Sequence, residues 1–147
     1  MRLFSVIFAY AVLLMNISGW ENDFEIAQKK AEAEHKFILL NFSGSDWCGP
    51  CIRLKKDVFE SESFATFSSE NLVLVNADFP RLKKNQLSKE QQKKNDKLAD
   101  KYNSQGIFPF TLLLNAKGKI IKSWEGNPGL LTEQFISQIK SIIDTGN

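Results

Sequence analysis

The sequence predicts an α/β protein, a central mixed β-sheet with helices packed on both faces. Three observations carry this. Phe37 to Phe42 is almost continuously apolar, as a strand buried on both faces must be. That run leads through a short loop into Cys48-Gly49-Pro50-Cys51 and then into Ile52 to Phe59, which suits a helix. Further on, Phe110 to Asn115 and Lys119 to Trp124 flank the turn Ala116-Lys117-Gly118 and read as a hairpin. The full order is helix, strand, helix, strand, helix, strand, strand, helix. Strand–helix–strand units give the parallel part of the sheet, and the hairpin gives the antiparallel part.

Met1-Arg2 followed by Leu3 to Ile17 fits a secretory signal: a basic start, a run of fifteen mostly apolar residues, then polar Asn22-Asp23. A membrane span needs about 18 or more apolar residues, so the run is short for one. Ile17-Ser18-Gly19 is a loose cleavage site, and an uncleaved anchor is the alternative. The expected division is a signal over 1–19 and one domain over 20–147. Asp23 to Lys36 predicts a helix with Phe24, Ala27, Ala31 and Ala33 or Glu34 as its apolar stripe. His35 at its end reads as a surface residue, because nothing in the sequence brings it to Cys48.

After the first strand, Ser43-Gly44-Ser45-Asp46 is a loop. In open α/β sheets sites gather at the carboxyl ends of strands. Asp46 is read as holding that loop; beside a thiol, its carboxylate would raise the thiol pKa. Leu54 and Val58 should face the core, and Lys55 and Lys56 the solvent. Ser61 resembles a cap for a short helix over Phe64 to Ser69. Asn71 to Asp78 is the second strand. Pro80 to Lys97 holds seven basic residues against Glu90 and Asp96, a balance of 7 − 2 = +5. It reads as a loop and a polar helix from Ser88 to Tyr102, touching the core through Leu98 and Tyr102. Such runs are usually solvated faces; a docking surface for an acidic partner is the alternative. Leu131 to Ile143 is a final helix with Leu131, Phe135, Ile139 and Ile142 inward.

The chemistry concentrates at Trp47-Cys48-Gly49-Pro50-Cys51, which holds both cysteines of the chain. The thiolate is the reactive form of cysteine, and a free thiol with a pKa near ~8.5 is mostly protonated at neutral pH. A helix N-terminus presents unpaired N–H groups and positive dipole to Cys48, which favours its thiolate. Cys48 is therefore the candidate nucleophile. Cys51, one turn in, should be more buried and should resolve the mixed disulfide. Pro50 suits a first helical turn, where its missing N–H costs nothing. Gly49 lets a substrate backbone approach, and Trp47 gives an apolar rim.

This pentapeptide resembles the active site of the thioredoxin family. Ile107-Phe108-Pro109-Phe110-Thr111 is similar to a second family mark, so the resemblance implies a cis peptide at Pro109 that faces the cysteines and helps dock substrate with Phe108. Phe42 to Cys48 and Asp78-Phe79-Pro80 resemble exported bacterial thioredoxin-like proteins. The resemblance covers roughly 23–144 and implies a three-layer sandwich. Two positions depart from the family. Its buried Asp corresponds to Asn41, which cannot act as a base, and the Lys that partners that Asp corresponds to Leu74. Water or Asp46 is left to take the proton of Cys51. Phe110 stands where thioredoxins often have Thr.

Other readings of the cysteine pair are weaker. A four-residue loop gains little from cross-linking. A closed zinc site wants four Cys or His ligands, and the chain holds two cysteines and one histidine. The 43% hydrophobic and 24% charged composition is that of a globular domain, and a net charge of +2 does not argue for nucleic acid. The expected function is thiol–disulfide exchange outside the cytoplasm, periplasmic or extracellular, on protein substrates bearing disulfides or thiols. Gly-Pro between the cysteines resembles reducing thioredoxins, so reduction is the expected direction. A membrane-embedded thiol relay would then donate electrons. No organic cofactor and no metal are implied, and a monomer is expected. A disulfide isomerase and a non-catalytic binding module are the alternatives.

Overall fold

In a computed structural model the described residues are 19–146; the expected signal therefore lies, but for Gly19, outside them. Helix α1 spans Phe24–Glu34, strand β1 Phe37–Ser43, helix α2 Gly49–Leu54, helix α3 Glu62–Asn71 and strand β2 Leu72–Asp78. Helix α4 spans Lys89–Tyr102, strands β3 and β4 Phe110–Leu114 and Ile120–Glu125, and helix α5 Thr132–Thr145. The strands lie in the order β2-β1-β3-β4. β1 runs parallel to β2 and antiparallel to β3, which runs antiparallel to β4. This is the expected three-layer sandwich with a mixed sheet.

Alternation along β1 explains the layers, since successive side chains in a strand point to opposite faces. Ile38, Leu40 and Phe42 pack with Ala27, Ala31, Leu98 and Tyr102 of α1 and α4. Leu39 packs on the other face with Leu54, Phe64, Phe135 and Ile139 from α2, α3 and α5, and with Val58 from the turn after α2. β1 lies between two neighbours and under two helical layers, so a nearly continuous apolar run is what its position demands, Asn41 being the interruption.

Several expectations need correction. Ala33 and Glu34 are exposed, so the stripe of α1 is narrower than predicted and rests on Ala27 and Ala31. The helix after Cys51 is not uniform: Lys55–Phe59 forms a wider π-type turn. The register is still one that buries Leu54, Val58 and Phe59 and leaves Lys55 and Lys56 outside. Leu131 is exposed because it is the N-cap of α5, outside the packed turns. Leu130, one residue earlier, packs against the core instead. The Ser61 cap forms as expected, accepting from the Phe64 N–H at 3.2 Å.

One addition had no signal in the sequence. Glu21 pairs with Val75 in parallel register, with bonds from Glu21 N to Leu74 O (2.7 Å) and from Asn76 N to Glu21 O (3.3 Å). It covers the outer edge of β2, which would otherwise present unpaired backbone groups, and it carries Trp20 against Phe59 at 5.1 Å between ring centroids.

Candidate active site

The site forms where β1 ends and α2 begins. Cys48 is the N-cap of α2, with extended backbone, and its Sγ accepts from the Cys51 N–H at 3.2 Å. Pro50 lies in the first turn and is exposed. A disulfide joins Cys48 to Cys51, whose Cα atoms are 5.2 Å apart. Cys51 was expected to be the more buried, yet each cysteine is 5% exposed. The cap geometry explains this, because it folds the Cys48 side chain back over the first turn instead of out to solvent.

On one side of the pair lies an aromatic wall. Phe108 meets Trp47 edge-on at 5.4 Å and Phe79 at 5.5 Å. The Trp47 Nε1–H donates to Phe79 O at 2.7 Å. The Phe108–Pro109 peptide is cis, as the resemblance implied, and Pro109 is buried. Gly44 is required here for a packing reason: a Cβ at that position would overlap the Trp47 indole. At Gly49 the nearest side-chain atom to such a Cβ is Arg53 Nη1 at 3.4 Å, so the molecule itself leaves the approach to Gly49 open.

Two carboxylates fix the loop that carries Trp47. Asp78 accepts from the Ser45 N–H at 2.9 Å and from the Ser43 and Ser45 hydroxyls. Asp46 accepts from the backbone N–H groups of Arg81 and Leu82, each at 2.9 Å, and from Asn85 Nδ2 at 3.1 Å. The Arg81 N–H, and then those of Leu82 and Asn85, hold the Asp46 carboxyl below its ordinary range. Asp46 is thus a loop holder. Both of its oxygens are taken by donors, which leaves it poorly placed to receive a proton from Cys51.

The other side of the pair is polar. Asn41 is buried, donates from Nδ2 to Asn76 Oδ1 at 3.1 Å, and accepts at Oδ1 from the Thr111 hydroxyl at 3.0 Å. Leu74 lies on β2 with Asn76 but packs into the α2/α3/α5 core cluster, so the partner of Asn41 is Asn76. A cavity of about 570 Å³ opens here, lined by Asn41, Asn76, Ser43, Cys51, Trp20 and Lys55 among others. Its volume is many times what one water needs, and its walls offer several polar partners.

The sequence missed Asn76, Trp20 and the cavity. A signal existed for the first: Asn41 and Asn76 each interrupt an apolar strand two residues before its last residue, and parallel pairing sets them opposite each other. His35 caps α1 in left-handed backbone (φ 54°), before β1 begins, so the strand length of about 20 Å separates it from the site. The basic stretch is tied down at several points: beyond the Asp46 bonds, Asn95 Nδ2 donates to Asp78 O at 2.9 Å and Lys94 pairs with Asp23 at 2.8 Å. Its hydrogen bond holds the Asp23 carboxyl below, and the Lys94 ammonium above, their ordinary ranges.

A thioredoxin-like family model matches residues 19–116, which takes in the strand, the cysteine pair and the Pro109 loop. The chain belongs to the thioredoxin-like family. As a thioredoxin-like protein it is 35% identical over 124 residues to the disulfide bond reductase DsbH of Chlamydia pneumoniae, covering 84% of this chain and 72% of that protein. A solved DsbH oxidoreductase superimposes with a TM-score of 0.75 at 32% identity, covering 86% of this chain and 84% of the other. A Thermus thermophilus thioredoxin superimposes with a TM-score of 0.63 at 14% identity, covering 85% and 87%, which speaks for the fold alone.

Proposed function

We propose that this thioredoxin-like protein is a thiol–disulfide oxidoreductase that reduces protein disulfides outside the cytoplasm. The observation that carries this is the Cys48–Cys51 pair at the start of α2, closed as a disulfide beside the aromatic wall and the Pro109 loop. The name of the 35% identical relative, a disulfide bond reductase, supports the direction. The apolar Leu3 to Ile17 run, read as a signal, supports export. Among the described residues, no helix is long and apolar enough to cross a membrane.

The cycle follows from the positions of the two sulfurs. With the pair reduced, the Cys48 thiolate is favoured by the N–H groups and dipole of the first turn of α2. It attacks one sulfur of a substrate disulfide. The other substrate sulfur leaves as a thiolate and takes a proton from solvent. Cys51 then loses its proton and attacks Cys48 Sγ, expelling the second substrate thiolate. Two electrons have passed to the substrate, and the Cys48–Cys51 bond has re-formed. Trp47, Gly49, Pro50, Phe108 and Pro109 present the substrate backbone to Cys48. No metal or organic cofactor enters this scheme. A donor dithiol must reopen the pair, and a membrane thiol relay is the class of donor that fits an exported protein.

An insulin-disulfide reduction assay tests the reading, with Cys48→Ser as control. Wild-type turnover with at least a thousandfold loss in the variant is the expected result. A wild-type protein without activity would point instead to a binding module built on the same fold.

A further inference from the structure

Two guanidinium groups lie against the chain neighbours of Cys48. The Arg81 guanidinium stacks on Trp47, with Cζ 3.7 Å from the ring centroid. Arg53 reaches back along α2 so that its Nη1 lies 3.4 Å from where a Cβ on Gly49 would stand. Trp47 and Gly49 are the chain neighbours of Cys48, so each arginine lies beside a residue next to the candidate nucleophile. Both residues are exposed, and neither forms an ion pair among the described residues.

Most nearby carboxylates are already engaged or lie elsewhere; the exception is exposed Glu125, beside the Pro109 loop through the bond from the Gly126 N–H to Pro109 O at 2.8 Å. Asp46 and Asp78 turn their oxygens to the loop donors. Glu60 faces Lys55 at 3.8 Å, and Asp57 lies further along the helix on the turn that follows α2. Exposed Lys55, Lys56, Lys83 and Lys84 add to the positive side. The Arg81 backbone is fixed by its N–H bond to Asp46, at 2.9 Å. Stacking on Trp47 holds its side chain further. A guanidinium held flat presents its fork to a carboxylate with little further ordering.

We propose that Arg81 and Arg53 form a two-sided carboxylate clamp. The preferred substrate is then a disulfide-bearing protein segment with acidic side chains on both sides of the cysteine that Cys48 attacks. In an extended segment residues advance about 3.3 Å each. A cysteine seated over Cys48 therefore carries its neighbours toward Trp47 on one side and Gly49 on the other. The inference rests on the reductase reading above and names its substrate class.

The test uses two disulfide-bearing peptides, identical except that the cysteine is flanked by Glu in one and by Lys in the other. The wild-type protein should reduce the Glu peptide with a kcat/KM about tenfold higher at low salt, the size of two screened surface charge pairs. The difference should lie in KM and shrink toward parity near ~1 M salt. R81E and R53E should each lower the preference about threefold, and the double variant should bring it to about parity. K117E, in the β3–β4 turn at the far end of the sheet, should leave it unchanged. Equal kcat/KM for the two peptides, or a preference that survives the double variant, overturns the clamp and leaves the reductase reading standing. Failure to reduce either peptide overturns both.

Discussion

Cys48 and Cys51 are one helical turn apart, yet their surroundings differ. Cys48 follows Trp47, whose ring is held by Phe108, Phe79 and Arg81 in a dense aromatic wall. Cys51 lines a cavity of mixed lining, with Trp20, Ile52 and Phe59 in its walls and two asparagines at its floor. The first setting follows the family pattern, and the second departs from it at Asn41. The contrast separates two demands on a dithiol. Recognition needs a fixed, largely dry surface that offers shape. Resolution needs only somewhere for a proton to go, and a wet cavity can provide that without a buried acid. The family resemblance raised the question of Asn41; the bonds around Asp46 remove one of its two answers.

The contrast can be broken first from the aromatic side. Gly44→Ala should force the Trp47 indole out of place, because the new methyl overlaps it. An overpacking cost of about 1–3 kcal/mol is expected, together with loss of the Nε1–H bond to Phe79 O. Chemical denaturation would show the loss of stability. Trp47 fluorescence should change as the contact with Phe108 is lost, and an unchanged emission spectrum would contradict that displacement.

The polar side is sharpened by Asn41→Asp. The new carboxyl would sit among Asn76, Thr111 and the cavity, where burial favours its neutral form and raises its pKa. An acid whose folded pKa exceeds its unfolded value contributes stability below the unfolded pKa, and that contribution is lost as pH rises through the folded value. The variant should therefore be less stable than wild type at neutral pH, by about 1–3 kcal/mol, and should recover as pH falls. Its rate of mixed-disulfide resolution should gain a second ionisation, visible in single-turnover experiments across pH. A wild-type-like pH profile would show that proton transfer at Cys51 does not use this floor.

A smaller effect is expected away from both sides, at Asp23. It caps α1 through the Glu25 and Ile26 N–H groups and pairs with Lys94. Asp23→Ala should cost about 1 kcal/mol, the usual value of a lost cap, with turnover unchanged. The Asp23 carboxyl is held below its ordinary 3.8, chiefly by the Lys94 hydrogen bond. Its contribution is therefore present above that ordinary value and is lost as pH falls through the lowered one. The gap between wild type and variant should close in that acid range, as read by thermal melts. The smallest stability effect is expected at Gly49→Ala, where a methyl meets only Arg53 Nη1. Stability should hold or rise by up to about 1 kcal/mol from the helix preference of Ala over Gly, while kcat/KM falls. Unchanged kinetics would mean that substrate does not pass over this position.

The residue pattern alone was enough for the layers, the order of elements along the chain and the cysteine pair. Those obey local rules: Leu39 and Leu40 must both be buried, Ser61 caps the helix after it, and Trp-Cys-Gly-Pro-Cys is legible without neighbours. Folding in three dimensions settled what Asn41 touches, what occupies Asp46 and where Arg81 lies. Asn76, Leu82 and Trp47 lie 35, 36 and 34 positions away from those residues, respectively. Only the pairing of β1 with β2 brings such distant residues together, and no local pattern encodes a contact that depends on the register between two strands.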